Sequence, residues 1–271
     1  MIVTCYYDIY NKPEKFIEYL YLFYDIGISG IPIILFTDPL LVKKFRIFPP
    51  SVKVIGMPLE SFELYSIGRK YTGNLPNGRN KIKDTNEFYS LMNTKIEFIL
   101  RASKVCDDDT FIWVDFGILK IIKNTERFIN KLKVVNEQIY DKITIPGCWS
   151  MGRGFTVEEV NWRFCGGFFV IPRKHIETFY EHSRNVLKDF CSQAIYKLTW
   201  ETNVWNIVEY FACKDIIQWF FADHNDSILH NIDNIDNVAN VANVANVANV
   251  ANATNVANAT NVANAANVAN Q

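Results

Sequence analysis

Short apolar runs alternate with amphipathic helical patterns from Met1 to Phe221, and this alternation constrains the fold more than any other feature. The runs are rich in β-branched and aromatic residues, as strands are. Strands interleaved with helices indicate an α/β domain. The sequence therefore predicts one three-layer α/β domain with a central, mostly parallel sheet. The predicted strands are Ile2–Tyr7, Ile31–Phe36, Val52–Ile55, Phe111–Val114, Ile143–Pro146, 163–171 and Ile216–Phe221.

The intervals between these strands carry the helical patterns. A strong pattern predicts one continuous helix over 86–104, and others cover about 124–135 and 174–190. A further helix begins near Thr199, whose hydroxyl we expect to cap it. The polar segment 60–84 is rich in glycine and asparagine and is long for a connection, so it is predicted to be a mobile functional loop.

The end of the chain is a repeat in which asparagine recurs at every third position from Asn231 to Asn270. A period of three matches neither a helix nor a strand, so the repeat cannot form a continuous apolar face. We therefore expect a folded domain over 1–229 and a disordered, low-complexity Asn-Val-Ala tail over 230–271. The tail has either no function or a role in asparagine-rich self-association.

Composition excludes several classes of partner. The 28 Lys and Arg residues balance the 29 Asp and Glu residues, which argues against a nucleic-acid partner or a polybasic membrane arm. No apolar run approaches the roughly 18–20 residues of a transmembrane segment, and the start of the chain lacks signal-peptide features. A cytoplasmic protein is therefore expected. The cysteines form no C-x-x-C pair and are interpreted as reduced core residues rather than as a disulfide framework or a zinc site. They are Cys5, Cys106, Cys148, Cys165, Cys191 and Cys213.

Three aspartates follow predicted strands, and ligands of open α/β sheets bind beyond the carboxyl ends of the strands. Asp38 precedes a proline and has a good explanation as a helix cap. Asp115 ends the apolar run F-I-W-V, where a carboxylate is costly unless a cation or donors satisfy it. We predict a functional role for Asp115, with a turn or cap as the alternative, and a weaker one for Asp8. Asp107–Asp109 precede a strand and are interpreted as a solvated turn.

Lys95 is a second anomaly, because it lies in the middle of the apolar face of the predicted helix 86–104. Its ammonium group either snorkels outward past its neighbours or points into a cleft toward an anionic ligand. Gly166 and Gly167 are adjacent within a predicted strand, which indicates a bulge or the close approach of a backbone or ligand.

Four other residues are weaker candidates. The indole of Trp149 is suited to stacking on a sugar ring, and the guanidinium of Arg153 to binding phosphate, although both fit ordinary core and surface positions. Glu201 is either a first-turn acid favoured by the helix dipole or a base near an acceptor hydroxyl. His224 follows the last predicted strand and is a structural residue or a metal ligand.

Several common nucleotide and hydrolase motifs are missing from the sequence. It contains no G-x-x-x-x-G-K-[ST], G-x-G-x-x-G, H-E-x-x-H or G-x-S-x-G pattern. These absences argue against P-loop NTPases, dinucleotide oxidoreductases, zincins and α/β-hydrolases.

Five segments, taken in order, resemble the HtrL/YibB family, and the resemblance covers roughly 1–225. That family is regarded as glycosyltransferase-like, with the GT-A arrangement of nucleotide-sugar enzymes, and the repeat tail lies outside the match. The segments are V-T-C-Y-Y-D-I, I-P-I-I-L-F-T-D, N-T-K-I-E-F-I-L-R-A, F-I-W-V-D-F-G-I and F-C-G-G-F-F-V-I.

The resemblance implies roles for the candidate residues. Asp115 occupies the strand end where GT-A enzymes carry a metal-binding D-x-D, but the second aspartate is absent here. A single carboxylate with water and phosphate oxygens could still hold Mn²⁺ or Mg²⁺. The other implied contacts are Asp8 with the nucleoside, Lys95 and Arg153 with the diphosphate, Trp149, Gly166 and Gly167 with the sugar or acceptor, Glu201 with the acceptor, and His224 with the metal.

The function that these roles imply is transfer of a sugar from a nucleotide-diphosphate sugar to a hydroxyl of a carbohydrate or protein acceptor. The alternatives are a degenerate GT-A domain that binds carbohydrate or nucleotide without catalysis, a nucleotidyltransferase, and an interaction protein with no small ligand.

Overall fold

The computed structural model describes 1–153, 156, 158–193 and 196–234, without the side chains of Arg153, Asp233 and Asn234. Within it, Met1–Ile232 form one compact unit. The predicted repeat tail lies outside the described residues from position 235 onward, so its disorder and the boundary at 229 remain predictions. No helix in the described part of the chain is long and apolar enough to cross a membrane.

Seven strands form one sheet in the order β3-β2-β1-β4-β6-β5-β7. β6 runs antiparallel to its neighbours β4 and β5, and the other four pairings are parallel. All seven predicted strands are present, six with small shifts of their ends and the strand predicted over 163–171 with a later start. They are β1 (Ile2–Tyr6), β2 (Ile33–Thr37), β3 (Val52–Gly56), β4 (Thr110–Val114), β5 (Ile143–Gly147), β6 (Phe168–Pro172) and β7 (Ile217–Phe221).

Helices cover both faces of this sheet. On one face Trp113 of β4 stacks on Phe98 with 5.9 Å between ring centroids, and on the other Tyr6 of β1 meets Phe16 edge to face at 5.3 Å. The α-helices are α1 (Pro13–Gly27), α2 (Glu63–Arg69), α3 (Asn86–Asn93), α4 (Lys95–Ser103), α5 (Thr125–Glu137), α6 (Arg173–Ser192), α7 (Glu201–Val208) and α8 (Ser227–His230). The short 3₁₀ segments are Pro39–Phe45, Leu59–Ser61, Ile118–Ile121, Met151–Arg153 and Asn231–Asn234, and a π segment, Glu209–Cys213, continues α7.

This architecture is the single α/β domain with a central, mostly parallel sheet that the sequence predicts. Phe16 and Phe98 belong to α1 and α4, so the sheet lies between two helical layers, as a three-layer domain requires.

The predicted continuous helix over 86–104 is wrong, because the chain breaks it at Thr94 into α3 and α4. The Asn93 amide and the Thr94 hydroxyl each donate, at 2.8 Å, to the carbonyl oxygen four residues earlier. Side chains that donate hydrogen bonds to these carbonyl oxygens compete with the backbone hydrogen bonds of the helix. The break makes Lys95 the first residue of α4.

The segment 60–84 is not one long loop, because α2 occupies its first third. The carboxylate of Glu97 starts this helix by accepting hydrogen bonds from the backbone N–H groups of Glu63 (3.0 Å) and Leu64 (2.8 Å). Those N–H groups have no partner within a helix, so an acidic side chain from α4 fixes the position of α2.

The predicted strand over 163–171 begins later, at Phe168, and the two glycines precede it in a turn. The Gly167 carbonyl still accepts a hydrogen bond from the Asp115 N–H at 2.8 Å, which continues the pairing of β6 with β4 by one step. The close approach predicted for the glycines therefore occurs at the entrance to the strand.

Candidate functional site

A buried ammonium group lies between two carboxylates at the carboxyl end of β4. Lys95 Nζ is 2.9 Å from Asp115 Oδ1, 2.7 Å from Glu201 Oε1 and 2.9 Å from the Gly166 carbonyl oxygen. The side chains of Lys95 and Glu201 are 1% and 0% exposed, whereas that of Asp115 is 34% exposed. We call Lys95, Asp115 and Glu201 the ion cluster.

Four separate chain segments deliver this cluster. Asp115 directly follows β4, Lys95 opens α4, Glu201 opens α7, and Gly166 lies in the turn before β6. The carboxyl ends of parallel strands are where open α/β sheets bind ligands. The predicted position of Asp115 at that edge is therefore confirmed.

Gly166 is required here by the close approach of a side chain. A Cβ atom at Gly166 would lie 1.9 Å from Glu201 Oε1, which no real Cβ contact tolerates. A Cβ atom at Gly167 would lie 3.4 Å from Asp115 Oδ2 and 3.1 Å from the Ile118 side chain. The first glycine makes room for the ion cluster, and the second borders its exposed carboxylate.

Burial and pairing compete in setting the protonation of the cluster. Burial by itself lowers the pKa of Lys95, but Asp115 and Glu201 together raise that pKa above its ordinary value. Burial raises the pKa of Glu201, and the ammonium of Lys95 opposes the rise. Glu201 Oε2 has no hydrogen-bond partner among the described residues. The lysine is therefore held protonated, and one carboxyl oxygen beside it remains unused.

Asp115 is the one charged member of the ion cluster that reaches solvent. Its Oδ1 also accepts a hydrogen bond from the indole N–H of Trp113 at 2.7 Å, and its Oδ2 lies 3.3 Å from Lys95 Nζ. These donors fix the orientation of the carboxylate while leaving one side of it open. A ligand that uses this cluster therefore contacts it through Asp115.

The structure resolves the alternatives left open for Lys95 and shows that the cap predicted for Thr199 is wrong. Lys95 does not snorkel, since its ammonium is buried against two carboxylates. Thr199 does not cap α7, because the N-cap residue is Trp200 and makes no side-chain cap bond. The carboxylate of Glu201 is instead turned inward to Lys95.

The residues around Asp115 do not fit a Mn²⁺ or Mg²⁺ ion. Such ions take several oxygen ligands, but Asp115 is a single carboxylate that already binds an ammonium group and an indole N–H. In the described chain, the group of three or more ligating side chains that could hold an ion is Cys148, Cys165 and His224, and Asp115 is not part of it. Asp115 is therefore a poor ligand for such an ion.

The structure also places the remaining predicted site residues. Asp8 Oδ1 accepts a hydrogen bond from the Lys12 N–H at 3.0 Å, so this carboxylate stabilises the turn before α1. Trp149 is half-buried, and its carbonyl oxygen accepts a hydrogen bond from Arg163 at 3.1 Å. The side chain of Arg153 lies outside the described residues. His224 is 38% exposed and lies beside Cys148 and Asp223.

Lys83 is a candidate that the sequence reasoning missed. Its ammonium lies 4.7 Å from the ring centroid of Trp200 and 5.0 Å from that of Phe88. Burial lowers the pKa of Lys83, and the charges of Asp84 and Asp115 oppose this. The signal that could have indicated Lys83 is its position at the end of the predicted loop 60–84, just before α3.

No protein-family model matches the chain, and no curated protein matches it. The HtrL/YibB resemblance therefore remains a prediction. Solved structures do match over most of the chain. Mouse xyloside xylosyltransferase 1 is 9% identical, with 81% of this chain and 84% of that chain covered and a TM-score of 0.45.

Two further matches are similar in extent. The mannosyltransferase Ktr4p from S. cerevisiae is 10% identical, with coverage of 81% of this chain and 68% of that one and a TM-score of 0.43. CMP:2-keto-3-deoxy-manno-octonic acid synthetase, in complex with CTP, is 11% identical, with 82% and 89% covered and a TM-score of 0.39.

Proposed function

We propose that this chain is a glycosyltransferase that moves a sugar from a nucleotide-diphosphate sugar to a hydroxyl acceptor. The observation that carries the proposal is the ion cluster, which presents one oriented, partly exposed carboxylate at the carboxyl edge of the sheet. The order of segments that resembles the HtrL/YibB family supports the same activity.

Asp115 is the residue that we expect to touch the donor. An ionised carboxylate accepts hydrogen bonds, and sugar or ribose hydroxyls donate them. Lys95 and Trp113 hold the Asp115 carboxylate from its protein side, so it need not reorganise when the substrate arrives. Preorganised polar groups of this kind lower the barrier when charge develops during the reaction.

Lys95 and Glu201 act as positioning residues. Both side chains are fully buried, so neither touches substrate in this arrangement. We therefore replace the predicted acceptor contact of Glu201 with the task of holding Lys95, which in turn holds Asp115. The adjacent carbonyl of Gly166 completes the set of acceptors around the ammonium.

Lys83 is a better candidate than Lys95 for the diphosphate. Lys83 is partly buried but reaches solvent, its ammonium lies over the rings of Phe88 and Trp200, and the charges of Asp115 and Glu201 act on it. A cation there neutralises the negative charge that grows on the departing nucleotide diphosphate. The exposed parts of Trp200 offer an apolar face beside it.

The test is a panel of UDP- and GDP-sugars, assayed for binding and for release of the nucleotide diphosphate with the wild type and with Asp115→Asn. Asp109→Asn is the matched control, because Asp109 is exposed before β4 on the opposite edge. We expect Asp115→Asn to lose about 10²–10³-fold in turnover, as removal of an oriented polar group at a reaction centre does, and the control to lose nothing. Unchanged turnover in folded Asp115→Asn contradicts the proposal.

A second candidate function is a non-catalytic carbohydrate- or nucleotide-binding module. It is favoured by the pairing of both Asp115 oxygens with Lys95, together with the poor fit of a metal at this position. Isothermal titration that shows sugar-nucleotide binding without release of nucleotide diphosphate would assign this function. Consumption of a nucleoside triphosphate with release of pyrophosphate would instead assign a nucleotidyltransferase.

A further inference from the structure

Two cysteines and a histidine from distant parts of the sequence meet beside the ion cluster. Their ligand atoms, the two Sγ atoms and one ring nitrogen, all lie within 4.8 Å of one another. Cys148 Sγ is 3.6 Å from Cys165 Sγ and 3.9 Å from His224 Nδ1. We call Cys148, Cys165 and His224 the sulfur cluster.

These distances are close to those of a tetrahedral metal site. With metal–sulfur bonds of about 2.3 Å and metal–nitrogen bonds of about 2.0–2.1 Å, tetrahedral geometry separates two sulfurs by about 3.8 Å and a sulfur and a nitrogen by about 3.5 Å. The Cys148–Cys165 separation of 3.6 Å and the Cys148–His224 separation of 3.9 Å differ from these values by a few tenths of an ångström, and the third pair, Cys165 and His224, lies within 4.8 Å. Small side-chain rotations would bring the three atoms onto one ion.

Asp223 lies beside Cys148 and His224, but it is not among the three residues whose ligand atoms all lie within 4.8 Å of one another. Its Oδ1 lies 3.5 Å from Cys148 Sγ and 3.5 Å from His224 Nδ1. A carboxylate at this place either completes the coordination or binds a water molecule that does. Asp223 is 65% exposed and His224 is 38% exposed, so an ion can enter from solvent.

We infer that the sulfur cluster is a binding site for a thiophilic transition-metal ion of the Zn²⁺ class, a function separate from the proposed sugar transfer. Thiolate and imidazole ligands select such ions over Mg²⁺ and Mn²⁺, which prefer oxygen. Binding replaces the two thiol protons, which pass to water, so no oxidant or reductant is needed.

An ion in the sulfur cluster would stabilise the loops that carry its ligands. Cys148 directly follows β5, Cys165 precedes the turn into β6, and Asp223 and His224 follow β7. An ion would therefore join three loops at one edge of the sheet. Cys165 is adjacent to Gly166, whose carbonyl binds Lys95, so the metal would also restrain one wall of the ion cluster. The ring of Trp162 packs edge to face on His224 at 4.8 Å and shields it.

A disulfide is the competing use of the two cysteines. Their Sγ atoms are 3.6 Å apart, compared with about 2.05 Å in a disulfide, so they are not bonded in this arrangement. A disulfide would remove both thiolates and abolish metal binding. The two uses are therefore mutually exclusive and can be distinguished in one preparation.

The test begins with the full chain purified under reducing conditions, freed of metal and titrated with Zn²⁺ and then with Co²⁺. We expect one ion per chain by elemental analysis and, for Co²⁺, the intense absorption of a tetrahedral thiolate complex. Cys148→Ser and Cys165→Ser should lose most of the bound metal, and the control Cys191→Ser, which changes a cysteine in α6, should lose none.

His224 is partly exposed, so its replacement should not disturb the packing of the core. His224→Ala should bind Zn²⁺ at least ten-fold more weakly while retaining the circular dichroism of the wild type, and Asp223→Asn should have a smaller effect. Absence of stoichiometric Zn²⁺ and of the Co²⁺ thiolate band in folded, reduced wild type overturns the inference. A Cys148–Cys165 disulfide detected by mass spectrometry in that reduced protein overturns it as well. Because these readouts involve no sugar, failure of the proposed transferase activity would leave this result unaffected.

Discussion

The ion cluster and the sulfur cluster lie at the same edge of the sheet, but they differ in how their polar atoms are satisfied. In the ion cluster the chain supplies both signs of charge, and Lys95 lies within 3 Å of a carboxylate oxygen of Asp115 and of Glu201. In the sulfur cluster the chain supplies two thiols and an imidazole, whose ligand atoms lie within 4.8 Å of one another. The charges of the first are paired within the chain, whereas the second, in our inference, takes its cation from solvent.

This difference explains which cluster can bind a metal. A carboxylate that already pairs with an ammonium gains little from a divalent cation, because the lysine would first have to be displaced and its buried charge left unpaired. Cysteine and histidine side chains carry no such counter-charge. Asp115, expected from the family resemblance to hold a metal, therefore fits one poorly. Cys148 and Cys165, which the sequence analysis did not expect to bind zinc, lie beside His224, which it named as a candidate metal ligand.

The largest expected effect comes from removing the central charge of the ion cluster. Lys95→Met leaves Glu201 buried beside Asp115 without a cation, which should cost about 3–5 kcal/mol in free energy of unfolding. Urea denaturation followed by circular dichroism measures it. The double variant Lys95→Met/Glu201→Gln should recover part of that loss, because it also removes the buried acid.

A loss below about 1 kcal/mol in the free energy of unfolding of Lys95→Met would contradict the buried pairing assigned to the ion cluster. It would mean that the lysine and its partners behave as a solvated surface pair. The exposed pair Lys15–Glu18, in which the lysine is 45% exposed, offers the contrast, and Lys15→Met should change the stability very little.

The next effect concerns the sulfur cluster. If Zn²⁺ binds the folded chain but not the unfolded chain, a free Zn²⁺ concentration of 100 times the dissociation constant should raise the free energy of unfolding of the wild type by about 2.7 kcal/mol. Thermal unfolding with and without Zn²⁺ measures the gain, and His224→Ala should show little of it. An equal gain in wild type and His224→Ala would place the ion elsewhere.

A third prediction tests the close approach at Gly166. The added Cβ atom of Gly166→Ala would collide with Glu201 Oε1, so we expect a loss of about 1–3 kcal/mol as the two side chains are forced apart. Gly78→Ala is the control, because Gly78 has nothing within 4 Å of the added atom. Equal stability of the two variants, measured by urea denaturation, would show that Glu201 does not occupy this position.

The smallest expected effect is a pH dependence. The carboxylates raise the pKa of Lys95 despite its burial, so above the ordinary lysine value of about 10.4 the unfolded chain loses a proton that the folded chain keeps. Its contribution to stability is therefore complete below that pH and is lost as the pH rises through the folded pKa.

The stability of Lys95→Met/Glu201→Gln should fall less steeply than that of the wild type at alkaline pH, by up to about 1.4 kcal/mol per pH unit. The tyrosines titrate in the same pH range, but both proteins contain all of them. Their contribution to the pH dependence of stability therefore cancels when the two curves are compared. Parallel curves for the two proteins would contradict the assigned pairing.

The sequence predicts the sheet and the edge position of Asp115 because strand periodicity and strand ends are local properties. The anomaly at Lys95 is also local, since a charged residue on an apolar helical face has to find a partner. Its partner Glu201 is 106 residues away, and no pattern in the sequence indicates the contact. The helix break at Thr94 depends on side chains that compete with the helical ladder, which periodicity does not reveal.

The sulfur cluster could not be recognised from sequence motifs. Cys148 and Cys165 are 17 residues apart and His224 a further 59, a spacing that matches no common zinc motif. The neighbouring ends of β5 and β7, together with the turn before β6, bring them together. Such a site requires the strand order to be known first.

The central claim is that the ion cluster holds the Asp115 carboxylate ready for a sugar nucleotide, and the most direct measurement is initial-rate release of nucleotide diphosphate by folded variants. We expect Asp115→Asn to lose most of the turnover and Lys95→Met/Glu201→Gln to lose turnover with a smaller change in substrate affinity, since Asp115 would remain but lose its orientation. Wild-type rates in both folded variants would contradict the account.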